Sequence, residues 1–352
     1  GFGIDTANGD LTQWTAFTPA NLGALGLTKF GLNALTLDQA NTHTGGTTLA
    51  AGTLVINHDQ ALGAGTFTIA GVSTVQSDGA VVTANPVVAN SNFTIAGAGA
   101  LTLGDMTLNA NCTITNDNTT SVTTFGAVTG TNRTLTFSGN GSTTVTGDIT
   151  TGSGTLTKNG TGTLTLGGLN TYTGATTVNG GTLNLTGSSG SSAVTVKNAG
   201  TMITGGGAVK SLTINNGAGY IWGYGDGGDH VLDIVAGNLV LNATWVLKLA
   251  DLGEDPLASQ QYDLFTYTGA CTLGTFTVDA AGAPGWDITG LSVVNDAANF
   301  RVYITGVGLV RLAGDANNDG VVDAADYIIV KTHIGQSTGA GPDDGDFDYS
   351  GA

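Results

Sequence analysis

Residues 27–56 read LTKFGLNALTLDQANTHTGGTTLAAGTLVI, and residues 156–185 read LTKNGTGTLTLGGLNTYTGATTVNGGTLNL. The two segments align without a gap, and within each copy short strands with a period of two residues alternate with corners that contain Gly or Asn. Strands this short cannot bury a face alone, so the repeat predicts successive coils stacked over one narrow core. Among the shared positions are Leu27/Leu156, Lys29/Lys158, Gly31/Gly160, Leu35/Leu164, Leu37/Leu166, Asn41/Asn170, Gly45/Gly174, Thr48/Thr177, Gly52/Gly181 and Leu54/Leu183.

The same alternation of short strand-like runs with turn residues continues outside the two copies. Turn residues separate the strand-like runs each time, and the spacing is short and regular with no helical pattern. A sandwich of evenly spaced strands would look similar in outline, but matched corner Asn and Gly favour a parallel β-helix, in which Asn side chains form ladders from coil to coil. Strand-like runs lie at 66–69, 93–97, 101–104, 113–116, 135–139, 194–198 and 212–216.

Composition agrees with an all-β chain. Of the 352 residues, 58 are Gly and only 5 are Pro, while charged residues make up 10%. Glu occurs once, at Glu254, and Lys and Arg total nine, so the usual solvent face of helices is missing. The net charge of -17 makes nucleic acid an improbable partner, because phosphate binding needs clustered cations. No apolar run is long enough to span a bilayer.

The segment LTKNGTGTLTLGGLNTYTGATTVNGGTL resembles the autotransporter-associated β-strand repeat, found in right-handed passenger β-helices of secreted bacterial proteins. The resemblance is specific over residues 27–56 and 156–185 and diffuse over most of 20–245. It implies a secreted, extracellular protein of the bacterial cell surface. No translocator-barrel sequence follows within the 352 residues, so we expect an extracellular β-helix and not a self-exporting autotransporter.

We therefore predict an all-β fold in three parts. Residues 1–245 form a right-handed parallel β-helix, or β-solenoid. Residues 246–310 contain more Trp, Tyr and Asp, and form the terminal coils or a small β cap that covers the exposed end. Residues 311–352 form a small C-terminal α/loop segment that binds calcium.

The calcium prediction rests on DANNDGVVDAAD at residues 315–326, which matches an EF-hand loop. Calcium needs six to eight hard oxygen ligands, and Gly320 permits the sharp turn at position 6. A simple acidic turn is the alternative interpretation. A short amphipathic helix is predicted to follow at 327–334. The ligands at positions 1, 3, 5, 7, 9 and 12 would be Asp315, Asn317, Asp319, Val321 through its carbonyl, Asp323 and Asp326.

Two features of this segment resemble dockerin type I modules: Asp at position 12, and no helix before the loop. A second loop would begin at GDFDYSGA, with Asp346, Asp348 and Ser350 at positions 1, 3 and 5, although no position-12 acid is visible there. The resemblance implies a protein partner bound through the segment, such as another surface protein. Ala324 and Ala325, at positions that often steer partner choice in dockerins, do not identify it.

The segment YIWGYGDGGDHVLD, at 220–233, is a candidate carbohydrate contact. Aromatic faces and acids together can hold a sugar ring, and polysaccharide is the partner that this hypothesis names. The alternative, which we favour, is a Gly-rich loop that closes the solenoid. The segment also matches the dinucleotide-binding pattern G-x-G-x-x-G. Because no βαβ unit is predicted around it, this match does not indicate a nucleotide site. The candidate residues are Tyr220, Trp222, Tyr224, Asp226 and Asp229.

Catalysis has no strong candidate. Neither a Ser-His-Asp set nor zinc-ligand spacing is present in the sequence. His43 occupies the repeat position of Tyr172, which predicts a structural corner role. Cys112 and Cys271 each lie in a strand-like run and are expected to be small buried hydrophobes, and their spacing does not decide whether they are bonded.

The sequence is consistent with three alternative functions. The first is a structural or adhesive surface protein that associates with itself head-to-tail into filaments, with calcium ordering the C-terminal segment. The second is a carbohydrate-binding or polysaccharide-degrading β-helix anchored through a dockerin-like module. The third is a passenger fragment of a larger surface protein.

Overall fold

The computed structural model describes residues 1–309, except residues 19, 21–23, 226–229, 254–255 and 257–259. The described residues form 37 β-strands and no helix. None of them therefore belongs to a helix that could cross a membrane. The all-β prediction is confirmed over this part of the chain.

The strands are short and follow one another at close intervals. The first twelve are β1 (Phe2–Asp5), β2 (Leu11–Thr12), β3 (Leu27–Phe30), β4 (Ala34–Leu37), β5 (Thr47–Leu49), β6 (Gly52–Ile56), β7 (Phe67–Ile69), β8 (Ser73–Gln76), β9 (Val81–Val82), β10 (Val87–Ala89), β11 (Phe93–Ala96) and β12 (Leu101–Leu103). The next twelve are β13 (Met106–Leu108), β14 (Cys112–Asn116), β15 (Thr123–Phe125), β16 (Val128–Gly130), β17 (Leu135–Ser138), β18 (Thr143–Val145), β19 (Ile149–Thr150), β20 (Leu156–Lys158), β21 (Thr163–Leu166), β22 (Thr176–Val178), β23 (Thr182–Leu185) and β24 (Ser188–Val196). The last thirteen are β25 (Met202–Thr204), β26 (Ala208–Ile214), β27 (Gly219–Gly225), β28 (Leu232–Ile234), β29 (Leu239–Leu241), β30 (Trp245–Leu252), β31 (Gln261–Tyr267), β32 (Cys271–Leu273), β33 (Phe276–Gly282), β34 (Trp286–Asp287), β35 (Ser292–Asp296), β36 (Arg301–Thr305) and β37 (Gly308–Leu309). Every strand-like run predicted between 66 and 216 overlaps one of these strands.

The described residues divide into two compact units. The first comprises Gly1–Ile221, Val231–Val246 and Phe265–Thr277. The second comprises the described residues of Trp222–His230, Leu247–Leu264 and the chain from Val278 onward.

Three faces of parallel strands make up the first unit. Face A contains β1-β3-β5-β7-β10-β13-β16-β19 in that order. Face B runs β2-β4-β6-β8-β11-β14-β17-β20-β22-β24-β26-β29-β32. Face C runs β9-β12-β15-β18-β21-β23-β25-β27. Successive coils thus lay strands side by side on the same faces, which defines a parallel β-solenoid and excludes the antiparallel sandwich.

Equivalent residues stack from one coil to the next. On face A, Phe67 pairs with Val87, Val87 with Met106, and Met106 with Val128, so a coil takes 19 to 22 residues. These four side chains are fully buried, whereas the residue after each faces outward. Strands pair at about 4.8 Å, so each coil adds one thin layer to the core.

Glycines at the corners let neighbouring coils approach closely. Gly160 has a φ of 71°, in the left-handed region that side chains disfavour. A Cβ at this position would overlap the carbonyl group of Gly139 in the preceding coil. Gly31, its counterpart in the first repeat, has a φ of 77°.

The second unit contains antiparallel pairs. Strand β35 pairs with β36, and β34 pairs with β37. Trp222 and Tyr224 stack with ring centroids 5.6 Å apart, and both rings also contact Trp286. The assignment of residues 246–310 to terminal coils or a β cap stays a prediction.

We expect Gly160→Ala to destabilise the solenoid more than Gly200→Ala. Both glycines have a positive φ, and for both the left-handed conformation costs Ala about 1–2 kcal/mol. Only Gly160 also lacks space, because nothing lies within 4 Å of a Cβ built at Gly200. Overpacking should therefore add about 1–3 kcal/mol to the loss of unfolding free energy in Gly160→Ala. Chemical denaturation measures both variants, and equal losses would contradict the stacked-coil contact.

Candidate functional site

Each repeat contains a buried lysine that joins two coils. Strand periodicity places Lys29 inward with Leu27, and Lys158 inward with Leu156. The Lys158 Nζ donates to the carbonyls of Asn159 (2.6 Å), Gly160 (3.0 Å) and, in the next coil, Gly180 (3.3 Å).

The first repeat has the same arrangement. The Lys29 Nζ donates to the carbonyls of Phe30 (2.8 Å), Gly31 (2.8 Å) and, in the next coil, Ala51 (3.0 Å). These bonds satisfy carbonyls at the corner where the left-handed glycine turns the chain. The repeat therefore encodes one three-carbonyl contact twice.

The two ammonium groups are desolvated. Burial lowers the pKa of Lys158 from 10.5 to about 8 and lowers the pKa of Lys29 as well, against the attraction of Asp5 and Asp10. Charged donors to carbonyls form the stronger kind of hydrogen bond, and this offsets part of the desolvation cost.

The shared asparagine bridges three coils. Asn41 Oδ1 accepts from the backbone N–H of Phe17 (2.7 Å), and its Nδ2 donates to the Ala61 carbonyl (2.6 Å). In the second repeat, Asn170 Oδ1 accepts from the N–H of Ile149 (2.9 Å), and its Nδ2 donates to the Ser188 carbonyl (3.1 Å). The side chain replaces strand hydrogen bonds where the chain turns a corner.

The position of His43 and Tyr172 supplies a third contact. The His43 Nε2 lies 3.2 Å from Thr47 Oγ1, which donates to the Leu62 carbonyl. The Tyr172 hydroxyl lies 2.7 Å from Thr176 Oγ1. Both rings are fully buried, and burial lowers the pKa of His43, which favours a neutral imidazole. This geometry supports the predicted structural corner role.

Amide side chains nearer the surface also join coils, both within and outside the repeats, as the corner pattern predicted. Asn57 Nδ2 donates to Asp38 (3.0 Å), and Asn109 Nδ2 donates to Asn90 (2.9 Å). Two further pairs are Asn179 with Asn159 and Asn242 with Asn215. The expected Asn ladders are therefore present on the described coils.

The candidate carbohydrate residues are only partly described. Tyr220 and Trp222 are fully buried, and neither ring offers a face to solvent on which a sugar could stack. The favoured alternative, a Gly-rich closing loop, does not hold for residues 219–225, because these form strand β27. Tyr224 is half-buried and packs against Tyr262 at 4.8 Å. Asp226 and Asp229 lie outside the described residues.

The predicted calcium ligands also lie outside the described residues. This applies to the loop at 315–326, to the helix at 327–334 and to the second loop with Asp346, Asp348 and Ser350. Within the described residues, no three His, Cys, Asp or Glu side chains lie together in a way that could hold a metal ion.

Both cysteines are free thiols. Cys112 is buried on β14, and burial raises its pKa to about 12. Cys271 on β32 is only half-buried, so the expectation of burial holds for one of the two. Burial also raises the pKa of Cys271, to about 11, so both thiols stay protonated and unreactive at neutral pH.

Sequence comparison agrees with this geometry. The family model of the passenger-associated transport repeat matches the chain twice, at residues 27–56 and 156–185. No curated protein and no solved structure matches the chain. Two passenger repeats within a parallel β-solenoid support a passenger-type β-helix, and the repeat family suggests a secreted or cell-surface protein.

We expect Lys158→Met to reduce the free energy of unfolding by about 2 kcal/mol or more. The substitution keeps the apolar stem but leaves three carbonyls without this donor. Lys197→Met is the matched control, because Lys197 is exposed on the same face. Equal effects of the two substitutions in chemical denaturation would contradict a stabilising role for the buried ammonium.

The stability difference between wild type and Lys158→Met should also depend on pH. With a pKa of about 8, folded Lys158 loses its proton earlier than the unfolded chain, whose lysine has the ordinary value of 10.5. The unfolded state therefore binds more protons between these values, and wild type should gain stability relative to Lys158→Met as pH rises from 8 to 10.5. Denaturation curves across this range measure the difference.

Proposed function

We propose that this chain is a structural or adhesive component of a bacterial cell surface or extracellular matrix, built on a right-handed β-helix. The observation that carries the proposal is the repeated buried network: in both passenger repeats a lysine and an asparagine connect neighbouring coils through backbone groups. Such contacts oppose local opening of a coil, which is how a surface stalk or scaffold would resist proteases.

Self-association through the first coil is part of this proposal. On face A, β1 pairs with β3 and has no other partner among the described strands. Trp14 is 85% exposed and Leu32 is 82% exposed. An unpaired strand edge beside exposed apolar side chains is a template for another strand. Further exposed apolar side chains of this region are Phe2, Leu11, Leu25 and Phe30.

The occupant that we propose is a coil of a second copy. A contact between opposite ends of two copies repeats from copy to copy without closing into a ring. Such a contact gives a filament, which suits a matrix protein. The dockerin-like segment would serve the alternative role of attaching the chain to another surface protein.

We expect the wild-type chain to form larger species as its concentration rises, and Trp14→Ser with Leu32→Ser to shift it to monomer. Loss of a buried Trp anchor costs about 2 kcal/mol, which weakens association about 30-fold. Val72→Ser is the matched control, because Val72 is 76% exposed elsewhere on the solenoid. Sedimentation velocity and electron microscopy give the readout. A monomer at every concentration would argue against assembly, and equal loss in Val72→Ser would argue against this surface.

We also propose that Ca²⁺ orders the C-terminal segment. The support is the spacing of oxygen-bearing residues from Asp315 to Asp326, together with eight Asp against one Lys in the last 38 residues. Bound cations would relieve the repulsion among these carboxylates.

Calorimetric titration of the full chain with Ca²⁺ should show one site, or two if Asp346, Asp348 and Ser350 also contribute ligands. Asp315→Ala together with Asp319→Ala should remove the first site, because both lose ligand oxygens. Asp117→Ala is the control, since Asp117 is exposed on the solenoid. The calcium proposal fails if wild type releases no heat, or if the double variant binds as wild type does.

A further inference from the structure

Arg133 has no partner of its own within the described residues. It forms no hydrogen bond and no ion pair with them, and its Nε is buried without an acceptor. Arg301, by contrast, pairs with Asp263 and Asp296. A guanidinium with no acceptor is unusual in a chain that carries a net charge of -17.

The fold holds Arg133 in place. Asn132 has a φ of 55° and turns the chain between β16 and β17. The Arg133 stem then passes over Gly130, where an added Cβ would lie 3.2 Å from Arg133 Cγ. The Arg133 backbone in turn packs against Gly154 of the next coil.

The side chain borders a groove of about 410 Å³ on face A. Strand register brings three coils together there, since Thr107 pairs with Thr129, and Thr129 pairs with Thr150. Their hydroxyl-bearing side chains therefore line up across the three coils, and the hydroxyl oxygens of Thr107 and Thr129 lie 3.3 Å apart. Besides Arg133, the polar groups that line the groove are Thr107, Asn109, Thr129, Thr131 and Thr150.

Two acidic groups next to these face A strands are already engaged elsewhere. Asp105 Oδ1 accepts from the N–H of Ala127 (2.8 Å), and Asp148 Oδ1 accepts from the N–H of Leu169 (2.7 Å). Both residues precede their face A strands, whereas Asn109 and Arg133 follow theirs. Neither carboxylate pairs with the Arg133 guanidinium, which therefore remains available to an external anion.

We infer that this groove binds the carboxylate of an acidic sugar, such as a uronic acid residue in a polysaccharide. The guanidinium matches a carboxylate in geometry and charge. The row of hydroxyls and the Asn109 amide match the hydroxyls of the sugar ring. A single cation does not suit a nucleic acid, which needs several. The inference does not depend on the structural function proposed above.

Calorimetric titration of the full chain with a tetramer of galacturonate, at low and high salt, tests this inference. We expect saturable binding that weakens with salt, and a loss of about tenfold or more in Arg133→Gln. Lys210→Gln removes the same charge from an exposed site and should bind as wild type does. The methyl-esterified tetramer, which lacks the carboxylates, should bind at least about tenfold more weakly.

Three outcomes would overturn the inference. The first is no binding of the galacturonate tetramer by the wild-type chain. The second is equal binding by wild type and Arg133→Gln, with thermal unfolding curves showing that the variant is folded. The third is an affinity for inorganic sulfate equal to that for the tetramer, which would reduce the groove to a general anion site.

Discussion

Parallel hydrogen bonding between coils is the constraint on which the rest of this structure depends. Because each strand pairs with the strand one coil away, a residue such as Val87 always meets its equivalents, Phe67 and Met106. Every layer of the core is then only one strand spacing thick, about 4.8 Å. Any side chain at a corner must fit within that spacing, and so Gly160 and Gly139 lie against each other without a Cβ.

This constraint also explains the polar groups inside the solenoid. At each corner the regular strand pairing stops, and backbone groups need other partners. Lys158 and Asn170 supply them from within the core. Since the buried ammonium is costly to desolvate, it is tolerated only because three carbonyls converge on it. The passenger repeat thus encodes the polar contacts at the corners as well as the apolar periodicity of the strands.

The sequence was sufficient for the strands and the parallel stacking, because periodicity of two and a gapless repeat report directly on both. The same periodicity, applied to Tyr220, Trp222 and Tyr224, would have placed all three rings on one face of a strand, and Tyr220 and Trp222 are indeed buried. Gly-rich composition hid that signal. The period-two pattern of LTK also predicts the inward position of Lys158. Its carbonyl partner in the next coil, Gly180, could not be predicted in this way, because that contact depends on the coil length.

The groove beside Arg133 could not be predicted from the sequence. Thr107, Thr129 and Thr150 look like ordinary exposed strand residues, and they meet only because coils of unequal length keep their register. Arg133 joins them because Asn132 adopts a left-handed conformation and Gly130 leaves room for the Arg133 stem. Neither condition has a sequence signature of its own. In a solenoid, a binding surface is assembled across coils, so its chemistry becomes visible only when register, turn conformation and burial are known together.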